Sequence, residues 1–175
     1  NWDITVICTR RGDLGATNHK AFGLFFLISM QNAVLRRPGN EKSRVPNFLY
    51  IDEFPDFICK ATEPIFTMYR KYKVGTVISA QNLEQLNVSG AKQTILSNCA
   101  SKIFTGGGVI SELEWWSSEF GQKREWSMSN SIDFDKGKYD AKHGNVEWKF
   151  TPYFKPGKLQ TLSQKECAFK IRGSN

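Results

Sequence analysis

The chain has 175 residues, of which 40% are hydrophobic and 13% aromatic, and it carries a formal net charge of +7. That is the size of one domain with enough apolar side chains for a packed core, which excludes global disorder. No apolar run approaches the ~20 residues of a membrane-spanning helix, no signal-peptide pattern opens the chain, and four cysteines without a CxxC pair argue against a zinc site and for reduced thiols.

The chain opens on Asn1 rather than Met, which reads as a piece of a longer parent. Ile4-Thr5-Val6-Ile7-Cys8 predicts a strand, followed by a turn through Gly12 and Gly15. Asn18 is a candidate cap for a helix running to Leu35, whose Phe22, Phe25, Phe26, Leu27, Ile28 and Met30 predict burial on most sides. Pro38-Gly39-Asn40 ends it, and Arg36 to Pro46 reads as a charged surface loop. Arg10-Arg11 and Arg36-Arg37 read as solvated turns, and His19 and His143 as exposed or capping residues without a ligand-spaced partner.

Phe48-Leu49-Tyr50-Ile51 then runs straight into Asp52-Glu53. A short, wholly apolar run is what a parallel strand covered on both faces requires. Carboxylates at its end stand where open α/β sheets form nucleotide sites. The same pattern also fits a core strand meeting a solvated turn. A helix is predicted from Ala61 to Lys73, with Thr62 as cap and Pro64 in the first turn, and a second apolar strand from Val74 to Ala80 that stops at Gln81. A helix of that length suffices for a parallel crossover, so Asp52-Glu53 and Gln81 are expected on one sheet edge.

Further on, Asn82–Asn87 predicts a short turn or helix and Gly90–Asn98 a helix. Ser101–Thr105 predicts a third strand, Gly106-Gly107-Gly108 a flexible turn, and Ser111–Phe120 a helix with Leu113, Trp115 and Trp116, closed by Gly121. Alternation around Glu125–Met128 and Val146–Phe150, flanking a stretch rich in Asp, Lys and Gly, predicts a β-hairpin between Arg124 and Tyr153 with a long tip. Leu159–Leu162 leads into a final strand, Cys167–Ile171.

Taken in order, Leu49–Glu53, Tyr69-Arg70-Lys71, Ser79-Ala80-Gln81 with Gln85-Leu86, Ile95–Asn98, the glycine turn and Phe120-Gly121 resemble the C-terminal part of a RecA-like motor. Specifically, the chain resembles the conjugative coupling ATPases of type IV secretion, the TraG/TraD type, over Ile4 to Gly121 and more weakly over Leu159 to Gly173. The resemblance implies an α/β, RecA-like P-loop NTPase-type layered fold with a mostly parallel central sheet. Residues 1–123 would form the core, 124–153 a β-hairpin insertion and 154–175 the last core strand. It implies ATP and Mg2+ as cofactors of the parent. Asp52 would hold magnesium, Glu53 would polarise the attacking water and Gln81 would sense the γ-phosphate. Arg70 would reach a neighbouring subunit's nucleotide, with Lys92 as a second such cation. A ring-forming homo-oligomer, a hexamer, is implied at the cytoplasmic face of the bacterial inner membrane. Its partners would be DNA or a relaxase–DNA complex and other secretion components.

The chain departs from that pattern in lacking a GxxxxGK[ST] phosphate cradle, so the cradle is expected upstream in the parent and the piece alone is expected to be inactive. The helix-rich domain that often precedes the acidic strand end in coupling proteins is also not seen. Two alternatives compete with this motor: the channel-assembly ATPase of the same systems, disfavoured by Phe54-Pro55 after Asp-Glu, and a non-enzymatic α/β interaction module.

Overall fold

The computed structural model describes residues 3–88, 90–129 and 145–172. They form two compact units, Asn1–Ala100 and Ser101–Asn175. Among the described residues the strands make three two-stranded sheets, one parallel and two antiparallel, rather than one mostly parallel sheet.

In the first unit, α1 (Arg11–Leu35) starts earlier than Asn18, so that residue is inside the helix and not its cap. The helix is broken at Gly15, whose φ of 74° and ψ of 162° only glycine adopts without strain. Its apolar content does not bury it all round. The buried positions are His19, Gly23, Leu27 and Val34, one stripe at helical spacing, while Phe22 and Phe25 are exposed. Residues 4–8 have no regular structure, and Ile4 and Val6 are 90% and 83% exposed. An isolated extended segment leaves its backbone donors and acceptors to water, and no described strand pairs with this one.

The stripe on α1 packs on the turn Phe54–Phe57. A Cβ at Gly23 would stand 2.2 Å from the Phe57 ring, so that ring lies directly on the helix backbone where the helix has no side chain. His19, expected at the surface, is buried beside Phe57 and donates from Nδ1 to the Thr9 carbonyl. Its Nε2 faces Asp56 at 3.4 Å, and Lys20 reaches the same carboxylate at 3.0 Å. The hydrogen bond from Lys20 holds the Asp56 carboxyl below its ordinary value, against the opposing effect of partial burial.

β1 (Asn47–Ile51) and β2 (Val74–Ile78) pair in parallel, Asn47 opposite Val74 and Ile51 opposite Ile78. One face of β1 is uncovered, with Phe48 and Tyr50 59% and 72% exposed, while the other buries Ile51. The crossover between the strands is not one helix. It is a string of turns at Lys60–Thr62 and Tyr69–Tyr72 around α2 (Pro64–Thr67). Thr62 is the cause at one end, because its hydroxyl donates to the carbonyls of Phe57 and Cys59 and accepts from the Cys59 N–H. Such local bonds compete with a continuous helix. Lys73, left-handed at φ 52°, stops the string at the other end. Arg37 is not solvated: it donates to the carbonyls of Tyr72 and Val45, both at 2.7 Å. Arg44 donates to those of Lys71, Pro38 and Arg37 and lies over the Tyr72 ring. After β2, α3 (Ala91–Asn98) buries Ile95.

In the second unit, β3 (Ser101–Phe104) pairs antiparallel with β6 (Ala168–Ile171). α4 (Ile110–Phe120) and α5 (Pro156–Gln160) supply fully buried Leu113 and Leu159. The rings of Phe104, Trp116, Phe120 and Phe154 follow one another at 5.1–5.5 Å. Large side chains of this kind contribute about 1.5–3 kcal/mol each when buried. Gly106, Gly107 and Gly108 all have positive φ, and a Cβ on Gly106 would meet the Leu162 Cβ at 3.1 Å while one on Gly107 would meet nothing within 4 Å, so the run is a positive-φ turn packed at its first residue. Glu119 receives Lys102 at 2.9 Å and Lys170 at 3.2 Å, which ties α4 to both strands. Burial pushes its pKa up, but the two lysines outweigh this and bring it below the ordinary value. β4 (Gln122–Ser129) and β5 (Asn145–Pro152) form the expected hairpin, with Trp126 opposite Trp148 and its base closed by Tyr153 N–H to Gly121 O at 3.1 Å. Its tip and His143 lie outside the described residues.

Candidate nucleotide-hydrolysis site

The register of β1 and β2 decides where their polar ends fall. Because the strands are parallel and Ile51 stands opposite Ile78, Asp52-Glu53 and Ser79–Gln81 leave the sheet side by side. Pairing continues one step past the strands, with Ser79 N–H to Ile51 O at 3.1 Å and Phe54 N–H to Ser79 O at 3.0 Å. Phe54 is fully buried, as is most of Phe57, so the chain is anchored immediately after the carboxylates.

Between these anchors Glu53 takes a left-handed conformation, φ 48° and ψ 44°. A non-glycine residue there costs of order 1–3 kcal/mol and persists only where its surroundings impose it. Here they do. The Glu53 N–H points at both Asp52 Oδ1, 3.0 Å, and Ser79 Oγ, 3.1 Å. The Ser79 hydroxyl in turn donates to Asp52 Oδ1 at 2.5 Å. One oxygen of Asp52 is thus fixed by two donors, and Asp52 and Glu53 are both exposed. Charge-assisted hydrogen bonds of this length are about twice as strong as neutral ones.

Gln81 is exposed at the same edge, and its N–H donates to Gln85 Oε1 at 3.1 Å, while Gln85 N–H is held by Asn82 Oδ1 at 3.0 Å. Three of the residues singled out from the sequence therefore share one sheet edge. The other two do not join them. Arg70 is exposed in the turn Tyr69–Tyr72, just before the start of β2. Five strand residues separate that end from the carboxylates, roughly 16 Å at ~3.3 Å per residue. Its neighbour Tyr69 is buried, and burial raises the phenol to about 12. Lys92, on α3, is engaged by Glu84.

Ser79 is the residue of this site that sequence reasoning left without a role. Its signal was available: a hydroxyl one position past an apolar strand, which parallel pairing sets beside Asp52.

The family model for the TraM recognition site of TraD and TraG matches residues 46–164. The chain belongs to this TraD/TraG coupling-protein family. It is similar in fold to the bacterial conjugative coupling protein TrwBdeltaN70 in its unbound form, with a TM-score of 0.69 and 19% identity over 85% of this chain and 33% of that one. The TrwB complex with ADP and Mg2+ gives a TM-score of 0.65 at 19% identity, over 85% of this chain and 32% of that one. The TrwB complex with the non-hydrolysable analogue ADPNP gives 0.66 at 18%, over 85% and 33%. The chain thus spans about a third of the solved coupling proteins it matches. No curated protein matches it in sequence.

Within the TraD/TraG family the site's donor set can be tested against the magnesium ion implied for it. A carboxylate and a hydroxyl are hard oxygen donors, which suit Mg2+, and Mg2+ keeps several waters and takes one or two carboxylates. Asp52, exposed and oriented by Ser79, fits that role. No GxxxxGK[ST] phosphate cradle occurs in the sequence.

Proposed function

We propose that this chain is the acidic-edge part of an ATP-hydrolysing, RecA-like motor that drives DNA transfer through a conjugation channel. The observation that carries the reading is the shared edge of β1 and β2, where Ser79 clips Asp52 and leaves Glu53 and Gln81 exposed beside it. Bound magnesium supplies charge neutralisation for phosphoryl transfer. Asp52 is the residue to hold it through water. Glu53, exposed on its left-handed backbone, orients the attacking water. Gln81 reports the terminal phosphate. Arg70 serves a neighbour's nucleotide in a ring, hexameric in this reading, at the cytoplasmic face of the inner membrane. Lys92 is the weaker candidate for a second cation, since Glu84 already occupies it.

The family match supports recognition of a TraM-type partner, as its name describes, and the similarity in fold to a bacterial conjugative coupling protein supports a role in conjugation. The TrwB complexes with ADP and Mg2+ and with an ATP analogue support nucleotide chemistry in the parent. The exposed rings of Phe48 and Tyr50 support a further layer of the parent covering β1. The test is Glu53→Gln in the intact parent. Turnover is expected to fall at least a hundredfold with ATP binding retained, measured by phosphate release and by calorimetric titration. Unchanged turnover would reduce the acidic edge to an ordinary strand end.

A further inference from the structure

The β4–β5 hairpin carries an aromatic face that the motor chemistry leaves unused. Residues two apart on a strand share a face, and cross-strand partners share it too. Arg124, Trp126, Trp148 and Phe150 therefore stand together, Arg124 opposite Phe150 and Trp126 opposite Trp148. The two indoles lie 3.6 Å apart between centroids, tilted by 33°. The Arg124 guanidinium lies 5.2 Å from the centre of the Phe150 ring. These rings are not core: Trp126, Trp148 and Phe150 are 62%, 51% and 62% exposed.

A cross-strand indole pair stabilises a hairpin by itself, which explains the pair and leaves the exposed Phe150 and the overlying guanidinium unexplained. Charge selects the occupant. Among the described side chains of the two strands, the aromatic face carries one charge, the cation Arg124, while Lys123, Glu125 and Lys149 stand on the opposite face. Glu125 belongs to the opposite face, where Lys123 and Thr151 take it up. The aromatic face thus presents rings and a planar cation without Glu125. Flat π-faces beside basic side chains are how single-stranded nucleic acid is held without reading its sequence. The Arg124–Phe150 and Trp126–Trp148 pairs are two residues apart, about 6.8 Å, or two steps of stacked bases at ~3.4 Å.

We infer that the Arg124–Trp126–Trp148–Phe150 face of the hairpin is a stacking platform for single-stranded nucleic acid. The inference deepens the motor reading by giving the strand a contact surface, and it needs no nucleotide hydrolysis.

The experiment uses the full chain and a fluorescein-labelled oligo(dT) of 20 nucleotides, followed by anisotropy, with a duplex of equal length as comparison. Oligo(dT) is expected to bind more tightly than duplex. Trp126→Ala and Trp148→Ala are each expected to weaken it roughly 5- to 150-fold, the range of ring–base stacking. Arg124→Gln should weaken it and make the salt slope shallower by about one. Trp126→Phe, which keeps a ring in the pair and so guards against a hairpin that merely fails to form, should stay within about threefold. Thr151→Val on the opposite face should stay within about twofold. Equal binding by Arg124→Gln and the alanine variants would overturn the assignment. So would duplex preference, or a shift in sedimentation showing that the same variants break a contact between copies of the chain. Glu53→Gln should bind the oligonucleotide as the natural sequence does. Failure of the hairpin variants therefore leaves the acidic-edge reading standing, and failure of Glu53→Gln to stop hydrolysis leaves the platform standing.

Discussion

At the scale of single residues, the acidic edge is held by Ser79, which does two jobs with one hydroxyl. It accepts from the Glu53 N–H and donates to Asp52 Oδ1. Removing it frees Asp52 to rotate without creating a cavity, so the cost to the fold should be small. Its effect belongs on the metal. Ser79→Ala in the intact parent is expected to raise the magnesium concentration for half-maximal hydrolysis about 10- to 100-fold, the usual loss when an outer-shell partner is removed. Urea stability should change by less than about 0.5 kcal/mol, since the site is exposed, and Ser79→Thr should restore most of the metal response. An unaltered magnesium dependence would show that Asp52 needs no such help. Asp52, Glu53 and Gln81 were legible in the sequence because two apolar runs stop at them. Ser79 was not, because its role depends on the register of two strands that only pairing sets. Nor was the left-handed Glu53: nothing in a composition-based reading marks a glutamate for positive φ, and it follows from the buried Phe54 that comes next.

Elements hold that edge in place from behind. α1 grips the turn Phe54–Phe57 through the bare surface at Gly23 and through Asp56, which takes Lys20 at 3.0 Å and faces His19 at 3.4 Å. Because the folded pKa of Asp56 is lowered, its contribution is fully present above the unfolded value and is lost as pH falls through the lower folded value. Asp56→Asn is therefore expected to cost about 1 kcal/mol near neutrality, in the range of a partly buried ion pair. The gap between variant and natural sequence should close as pH falls from the unfolded value through the lowered folded one. Urea melts at several pH values check this, and a gap independent of pH would assign the role of Asp56 to packing. Helix, strand and hairpin placement was largely readable from periodicity, and the parallel pairing of β1 with β2 followed from the length of the crossover. What periodicity missed was set by side chains bonding locally or over distance. Thr62 breaks the crossover into short turns, His19 leaves the surface for Asp56 and Thr9, and Arg37 and Arg44 turn from solvent to cap carbonyls. The extended segment 4–8 has the alternation of a strand but no described partner to make it one.

At the scale of the whole molecule, the separation of Arg70 from the carboxylates becomes the informative fact. The sheet register puts Arg70 before the first residue of β2 and Asp52-Glu53 after the last residue of β1. The clamp of Arg37 and Arg44 on Tyr72 and Lys71 fixes the turn that carries it. An exposed guanidinium on a fixed turn, roughly 16 Å from its own carboxylates, suits a second subunit packed head-to-tail, the contact that closes a ring. The competing role is local: a cation near the end of a helical turn contributes only about 0.3–1 kcal/mol. Mixing intact-parent subunits separates the two. Arg70→Ala and Glu53→Gln rings should each be inactive, a trans-acting arginine being worth ~10³–10⁵ in rate. Rings mixed from both contain some interfaces that join an intact acidic edge to an intact arginine, and hydrolysis should return in proportion to them. An active Arg70→Ala ring would leave the arginine to the turn that holds it. Mixtures without recovery would place its action within its own subunit.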